Sequence, residues 1–174
     1  MKKFDEKKFE ETMLMEDAVD NLQGEIASYI EKTLQKNPKI SKDILKKFLT
    51  FSSVVDEIER IADRAVNIAQ IAYFKNKNKE KFSSETQYFF EELNKKLLLL
   101  LSDHFNMLEE KAYNKKYEEE IKEYIKTFKE VYKLKLLMKE ESPATTMLFS
   151  ELIANIERIV GNAETIAKQL SEIY

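Results

Sequence analysis

The apolar residues of the chain recur at intervals of three and four along most of its length. One such stripe contains Ile44, Phe48, Val55, Ile58, Ala62, Val66 and Ala69. This spacing is the period of an amphipathic helix, and no two-residue alternation typical of strands interrupts it. Because the 174 residues include only 2 glycines and 2 prolines, there is also little room for β-turns. The pattern therefore predicts an all-α protein.

Local signals divide this pattern into long helices. The Asn37-Pro38 pair ends the first helix, and Ser41 caps the second. Ser84 and Gln87 have the spacing of a capping box at the start of the third helix. Ser142-Pro143 reads as an N-cap followed by proline at the first helical position. These signals place most of the helix ends.

A further break is inferred near Asn114. Without it, one helix would run over residues 84–139 and reach about 80 Å at ~1.5 Å per residue, too long for a compact domain. The sequence thus predicts an antiparallel bundle of about five helices in a single domain spanning residues 1–174. The predicted helices cover residues 4–36, 42–75, 84–111, 115–139 and 143–172.

The sequence also contains an internal repeat. IERIADRAVNIA at residues 58–69 and IERIVGNAETIA at 156–167 agree at 7 of 12 positions with an offset of 98. EIASYI at 25–30 resembles EIKEYI at 120–125, on the helix before each motif. Such similarity at a fixed offset indicates duplication of a helical unit. We assign repeat one to residues 1–78 and repeat two to residues 83–174, and repeat one lacks the leading helix that residues 84–111 supply to repeat two.

Two pairs of carboxylates stand out in the first repeat. Glu59 and Asp63 lie four apart beside the apolar stripe, and Glu16 and Asp20 do the same on the first helix. Like charges at this spacing repel, and an unpaired acid next to a core is costly. A hard cation with oxygen ligands would remove both costs. The alternative is that Arg60, Arg64 and nearby lysines neutralise these acids, or that the acids stay in water.

The second repeat has lost most of these carboxylates. Glu157 matches Glu59, but Gly161 stands where the first repeat has Asp63. At the offset of the preceding helices, the positions of the other two acids hold Lys111 and Lys115. We therefore expect any cation site in the first repeat only, with an internal ion pair such as Lys115 to Glu157 in the second.

Composition and motifs exclude several functions. The net charge of −3 does not indicate binding to nucleic acid. The absence of cysteine excludes disulfides and thiolate chemistry. The longest apolar run, residues 97–101, is far shorter than the ~20 residues that span a bilayer. The single histidine, His104, has no glutamate three positions before it, so the Glu-x-x-His pairs of di-iron bundles are absent. We assign no catalytic and no cofactor-binding residue and expect no enzyme.

ERIADRAVNIA resembles the signature helix of the PhoU family, and EDAVDNL at residues 16–22 resembles the acidic motif on the helix before it. The resemblance implies a cytoplasmic regulator of phosphate uptake built from three-helix repeats. It also implies metal ligands at Glu16, Asp20, Glu59 and Asp63, for a divalent or iron-type metal such as Fe, Zn, Mn or Ni. Arg60 and Arg158 match the arginine of the motif.

Within the family, the short form and the stretch SPATTMLFSELIANIERI look most like the PhoU-type domain of bacterial sodium/phosphate cotransporters. The expected function is a regulatory or accessory domain of phosphate transport in the cytoplasm, at the inner face of the membrane. Expected partners are the membrane domain of the transporter or a transporter–sensor complex, and a second copy of the chain. The alternatives are a free-standing PhoU-like regulator and a metal-free structural docking module.

Overall fold

A computed structural model describes residues 4–110, 116–138 and 142–173, without the side chains of residues 104–110. Five helices follow one another along the chain. They are α1 (Glu6–Lys36), α2 (Lys42–Lys77), α3 (Ser84–Glu110), α4 (Lys116–Leu137) and α5 (Pro143–Ser171). The predicted all-α bundle of five long helices is therefore confirmed. The inferred break at Asn114 lies outside the described residues, between the end of α3 and the start of α4.

The helix ends follow the capping signals of the sequence with one exception. Ser41 caps α2, and Ser142 caps α5 by accepting a hydrogen bond from the backbone N–H of Thr145 at 3.0 Å. At α3 the predicted cap is wrong. Ser83 accepts from the backbone N–H of Thr86 at 3.3 Å, so Ser84 is already the first helical residue. The Gln87 side chain donates to the backbone carbonyl of Phe82 at 2.8 Å.

Most of the hydrophobic core lies between α3, α4 and α5. Phe89 of α3 stacks on Phe128 of α4 with ring centroids 3.7 Å apart. Tyr132 of α4 stacks in the same way on Phe149 of α5. Aromatic residues bury large apolar areas, and these rings hold the three helices together. The second half of the chain is thus a complete three-helix unit.

The two helices that carry the repeated motif pack against each other. Gln169 near the end of α5 donates to Ser53 near the start of α2 at 2.7 Å, so the two helices are antiparallel. Val54 of α2 is buried with Ala167 and Leu170 of α5. Helix α1 packs only on α2 among the described helices. Contact between α2 and α5 therefore joins the two halves, while the assignment of one domain with two repeats stays a prediction.

Candidate functional site

The four predicted acids lie along the interface of the α1–α2 hairpin. The side chain of Gln23 on α1 donates to Asp56 on α2 at 2.9 Å, which fixes the register of the two antiparallel helices. One and two turns further from the connection, the same register brings the acids of α1 next to those of α2. We call Glu16, Asp20, Glu59 and Asp63 the acidic cluster.

The structure brings the members of the acidic cluster close together across the hairpin. Glu16 lies within electrostatic reach of Asp63 across the hairpin and of Asp20 on its own helix. Glu59 is within electrostatic reach of both Asp63 and Asp20. The acids of α1 and α2 are thus within electrostatic reach of each other across the hairpin.

The pKa values of two members reflect this crowding. Desolvation, followed by the charges of Asp17, Asp63 and Asp20, raises the pKa of Glu16 above its ordinary value. Desolvation, then Asp63 and Asp20, likewise raises the pKa of Glu59. Burial and like charges both disfavour the ionised form of a carboxyl group. Each of these two side chains would therefore gain from a nearby positive charge.

The sequence left open that Arg60, Arg64 or nearby lysines neutralise the acidic cluster, but the structure shows no such ion pair among the described residues. Arg60 pairs with Glu57 at 2.6 Å and offsets only part of the rise in the pKa of Glu59. Within the described part of the chain, none of the ion pairs involves a carboxylate of the cluster. The cluster is thus a concentration of negative charge on a protein of net charge −3.

The fit of a metal ion to this cluster is incomplete. Among the residues that the structure describes, no group of three or more His, Cys, Asp or Glu side chains is arranged to hold a metal ion. Carboxylate oxygens suit hard cations such as Mg²⁺, Ca²⁺ and Mn²⁺ better than Zn²⁺ or Ni²⁺, which favour nitrogen or sulfur ligands. Ligation by the four acids would therefore require rotation of their side chains, and metal binding stays a prediction.

The second repeat replaces carboxylate pairs with ion pairs. Lys129 of α4 contacts both carboxylate oxygens of Glu157, at 2.7 and 2.8 Å. Lys122 bridges Glu118 and Glu164 at 2.5 and 2.8 Å. The expected internal ion pair of Glu157 is present, but its partner in the structure is Lys129. The predicted partner Lys115, like Lys111, lies outside the described residues.

These ion pairs shift a pKa in the opposite direction from that in the acidic cluster. Hydrogen bonds from Lys122 and Lys168 lower the pKa of Glu164 to about 2. A cavity of about 340 Å³ beside this carboxylate is lined by Glu157 and Gly161, among others. The acidic cluster of repeat one therefore forms no ion pair in the described chain, whereas Glu157 and Glu164 of repeat two are paired with lysine.

Sequence reasoning missed the residues that set these arrangements. Gln23 and Asp56 fix the hairpin register, and Lys129 holds Glu157. The position of Gln23, one helical turn after Asp20, could have indicated that it faces the same neighbour. No local motif marks Lys129, because its role depends on how α4 and α5 are aligned.

The fold and the cluster together define a helical bundle with an acidic hairpin at one side. Residues 1–72, which include α1 and most of α2, match the family model of the PhoU domain. The PhoU resemblance predicted from the sequence is thereby confirmed for these residues, which contain all four acids. Comparison with curated proteins and with solved structures found no match. No described helix combines the length and apolar character needed to cross a membrane.

Proposed function

We propose that the chain is a PhoU-like regulatory or accessory domain of phosphate transport. The observation that carries the proposal is the match of residues 1–72 to the PhoU domain. The regular helical surfaces suit docking on another protein, and we assign no catalytic residue. We further propose a cytoplasmic location at the inner face of the membrane, as part of a sodium/phosphate cotransporter. The stretch before the second motif, from Ser142 to Ile159, supports this context through its resemblance to such domains.

The regulatory role can be tested by phosphate uptake in cells. Expression of the chain together with a bacterial sodium/phosphate cotransporter membrane domain should change the initial rate of radiolabelled phosphate uptake. The two polypeptides should also co-purify from detergent extracts. Unchanged uptake and no co-purification would contradict the cotransporter context. Uptake changed through a different phosphate transporter would instead favour a free-standing regulator.

We also propose that the acidic cluster binds a metal ion. Support comes from its four carboxylates, from the absence of ion pairs to them in the described chain, and from the raised pKa values of Glu16 and Glu59. Manganese suits carboxylate ligands better than zinc or nickel. A bound cation would offset the repulsion between the carboxylates and would thereby stabilise the packing of α1 on α2.

Metal content and thermal stability test this site together. Elemental analysis after incubation with manganese, iron, zinc or nickel should find about one or more ions per chain, with a rise in Tm. The double variant Glu59→Gln/Asp63→Asn should lose both effects. The matched control is Glu157→Gln, which changes the equivalent glutamate of repeat two and should keep both. Metal retained by the double variant would refute the assignment of these ligands.

The second candidate is a structural docking module that binds no metal. It is favoured by the finding that no described group of acids, histidines or cysteines is arranged around a common metal position. In this case the double variant should bind its protein partner as well as the original chain does. Its Tm should stay unchanged or rise slightly, because like charges four apart on a helix cost a few tenths of a kcal/mol.

A further inference from the structure

One end of the bundle gathers parts of all five helices. Phe4 before α1 and Tyr73 near the end of α2 have ring centroids 5.9 Å apart. Thr145 in the first turn of α5 donates to Glu80 in the α2–α3 connection at 3.1 Å. Lys135 near the end of α4 forms an ion pair with the first turn of α3. We call residues 4–9, 73–88, 133–138 and 142–147 the lysine-rich end.

Positive charge is concentrated at this end. Five lysines lie in the last turn of α2, in the connection to α3 and at the end of α4, namely Lys75, Lys77, Lys79, Lys81 and Lys133. Within the described part of the chain, none of the five takes part in an ion pair. The acids nearby have other partners, because Glu80 accepts from Thr145 and Glu85 pairs with Lys135. Residues 4–9 add two acids and two lysines, whose charges cancel.

The backbone does not explain the lysine at position 79. Lys79 has a φ of 56°, which lies in the left-handed region. Glycine and asparagine adopt this conformation more readily than a residue with a long side chain. The side chain of Lys79 is exposed. Its positive charge is therefore the property that favours lysine at this position.

Apolar side chains are exposed among these lysines. Leu134, Leu137 and Met138 are three and four residues apart, so they share the outward side of the last turn of α4. They are 60%, 76% and 71% exposed, and Phe74 near the end of α2 is 51% exposed. Exposed apolar residues that stand singly are common. A group of them surrounded by lysines is instead typical of surfaces that enter the headgroup region of a membrane.

Two of the lysines lie over aromatic rings. The Nζ of Lys75 is 5.3 Å from the centroid of the Phe82 ring, and the Nζ of Lys77 is 5.9 Å from that of Tyr73. Lysine covers apolar surface with its methylene stem and keeps its ammonium group in a polar layer. Tyrosine is likewise favoured where an apolar layer meets a polar one. The lysine-rich end thus has the composition of a surface at the boundary between hydrocarbon and water.

The acidic cluster is too far away to cancel the charge of the lysine-rich end. Asp63, its last member on α2, lies 12 residues before Lys75. This separation corresponds to about 18 Å at ~1.5 Å per residue. The Debye length at physiological ionic strength is only ~8 Å. The molecule therefore presents positive charge at one end although its net charge is −3.

We propose that the lysine-rich end binds the surface of a membrane that contains anionic lipids. The lysines contact the phosphate groups of the lipids, and Phe74, Leu137 and Met138 enter the headgroup region. Burial of apolar side chains and attraction to anionic headgroups both stabilise this arrangement. The apolar side chains come from the ends of different helices, which suits a fluid lipid surface better than a protein of fixed shape. This proposal rests on the location at the inner face of the membrane proposed above, and it names the surface that meets the lipid.

Co-sedimentation of the full chain with lipid vesicles tests this proposal. The chain should bind vesicles of phosphatidylcholine and phosphatidylglycerol at least about tenfold more strongly than vesicles of phosphatidylcholine alone. Salt at about 0.5 M should weaken this binding, because it screens the charges. The triple variant Lys77→Glu/Lys79→Glu/Lys81→Glu should lower the affinity for the anionic vesicles by about tenfold or more. No binding to the anionic vesicles, or equal binding to both kinds, overturns the proposal.

The matched control places the same change of charge at the opposite end of the α1–α2 hairpin. Lys36→Glu/Lys39→Glu/Lys42→Glu also replaces three exposed lysines, and it should bind the anionic vesicles much more strongly than the first variant. Equal weakening by the two variants overturns the proposal. The vesicles contain no transporter, so this test and the phosphate-uptake experiment fail separately. A chain that does not bind vesicles can still change uptake, and a chain that binds them can leave uptake unchanged.

A second measurement shows which part of the chain meets the lipid. The chain contains no tryptophan, so Leu137→Trp and Leu98→Trp each introduce a single fluorophore in place of an exposed leucine. Emission from position 137 should shift to shorter wavelength with anionic vesicles and should be quenched by brominated lipid. Position 98, in the middle of α3, should show neither effect. Equal responses at the two positions, or none at position 137, overturn the proposal.

Discussion

Gly161 is the residue at which the two motif helices differ most in chemistry. It lies inside α5, where Asp63 would stand if the repeat were unchanged. A Cβ built at Gly161 meets no atom within 4 Å, so a small side chain fits without strain. The glycine therefore reflects neither a tight turn nor a close approach of another chain segment.

We predict that Gly161→Ala stabilises the protein. Glycine inside a helix costs about 0.5–1 kcal/mol relative to alanine, and nothing in the described structure offsets this cost. Urea unfolding should give a free energy of unfolding higher by about that amount. Gly24→Ala on α1, where a Cβ also meets no atom within 4 Å, is the matched control and should give a similar gain. A loss of stability at position 161 alone would contradict this account.

Acidic residues of the two repeats should respond to pH in opposite directions. Because the folded-state pKa of Glu164 is lowered to about 2 from 4.5, its ion pairs stabilise the protein above pH 4.5 and stop doing so as pH falls to about 2. Glu16 and Glu59 have raised pKa values, so their contribution is lost as pH rises through those values.

The variant Glu164→Gln tests the first of these effects. It should lower Tm at pH 7 and reduce the dependence of Tm on pH between about 4.5 and 2, because Lys122 and Lys168 lose their shared partner. Thermal unfolding followed by circular dichroism across this range gives the measurement. Glu59→Gln should instead keep the acid limb of the curve. An acid limb in Glu164→Gln as steep as in the original chain would be inconsistent with a lowered pKa.

At the scale of elements, helix positions could be predicted well because they depend on local sequence. Ser41 and Ser142 cap α2 and α5 as predicted, since each stands alone before an apolar-periodic segment. At α3, two serines are adjacent and either could cap by sequence. The structure selects Ser83, whose hydroxyl reaches both the backbone N–H and the side chain of the buried Thr86.

Substitution of the two serines should separate their roles. Ser83→Ala removes the cap of α3 and should lower the free energy of unfolding by about 1 kcal/mol. Ser84→Ala changes an exposed residue in the first turn and should alter stability by less than about 0.5 kcal/mol. Chemical denaturation of both variants gives the comparison. Equal losses of stability would contradict the assignment of Ser83 as the cap and would favour Ser84, as its spacing to Gln87 predicts.

Contacts between elements were harder to predict than the elements. The acidic cluster was predictable, because both acid pairs lie about equally far from the α1–α2 connection and so meet across the hairpin. The ion-pair partner of Glu157 was not predictable. The similarity of EIASYI to EIKEYI aligned α1 with α4 by sequence alone and pointed to Lys115. Hairpin packing in the structure instead aligns α4 with α5, and it places Lys129 beside Glu157. Register of this kind depends on tertiary packing and leaves no mark in local sequence.

At the scale of the whole molecule, packing is unevenly distributed between the two halves. Helix α5 has 11 buried residues, whereas α1 has none among those described. Local opening is easiest where few apolar contacts must be broken. Helix α1 should therefore open at a free energy well below that of global unfolding, while α5 should open only with the whole domain.

Hydrogen exchange should reveal this difference between the two helices. At low protein concentration, amides of α1 should exchange at least about tenfold faster than those of α5. Protection of α1 that is as high as that of α5 in dilute solution would show that the hairpin is stable on its own, and the uneven packing would then have no energetic consequence.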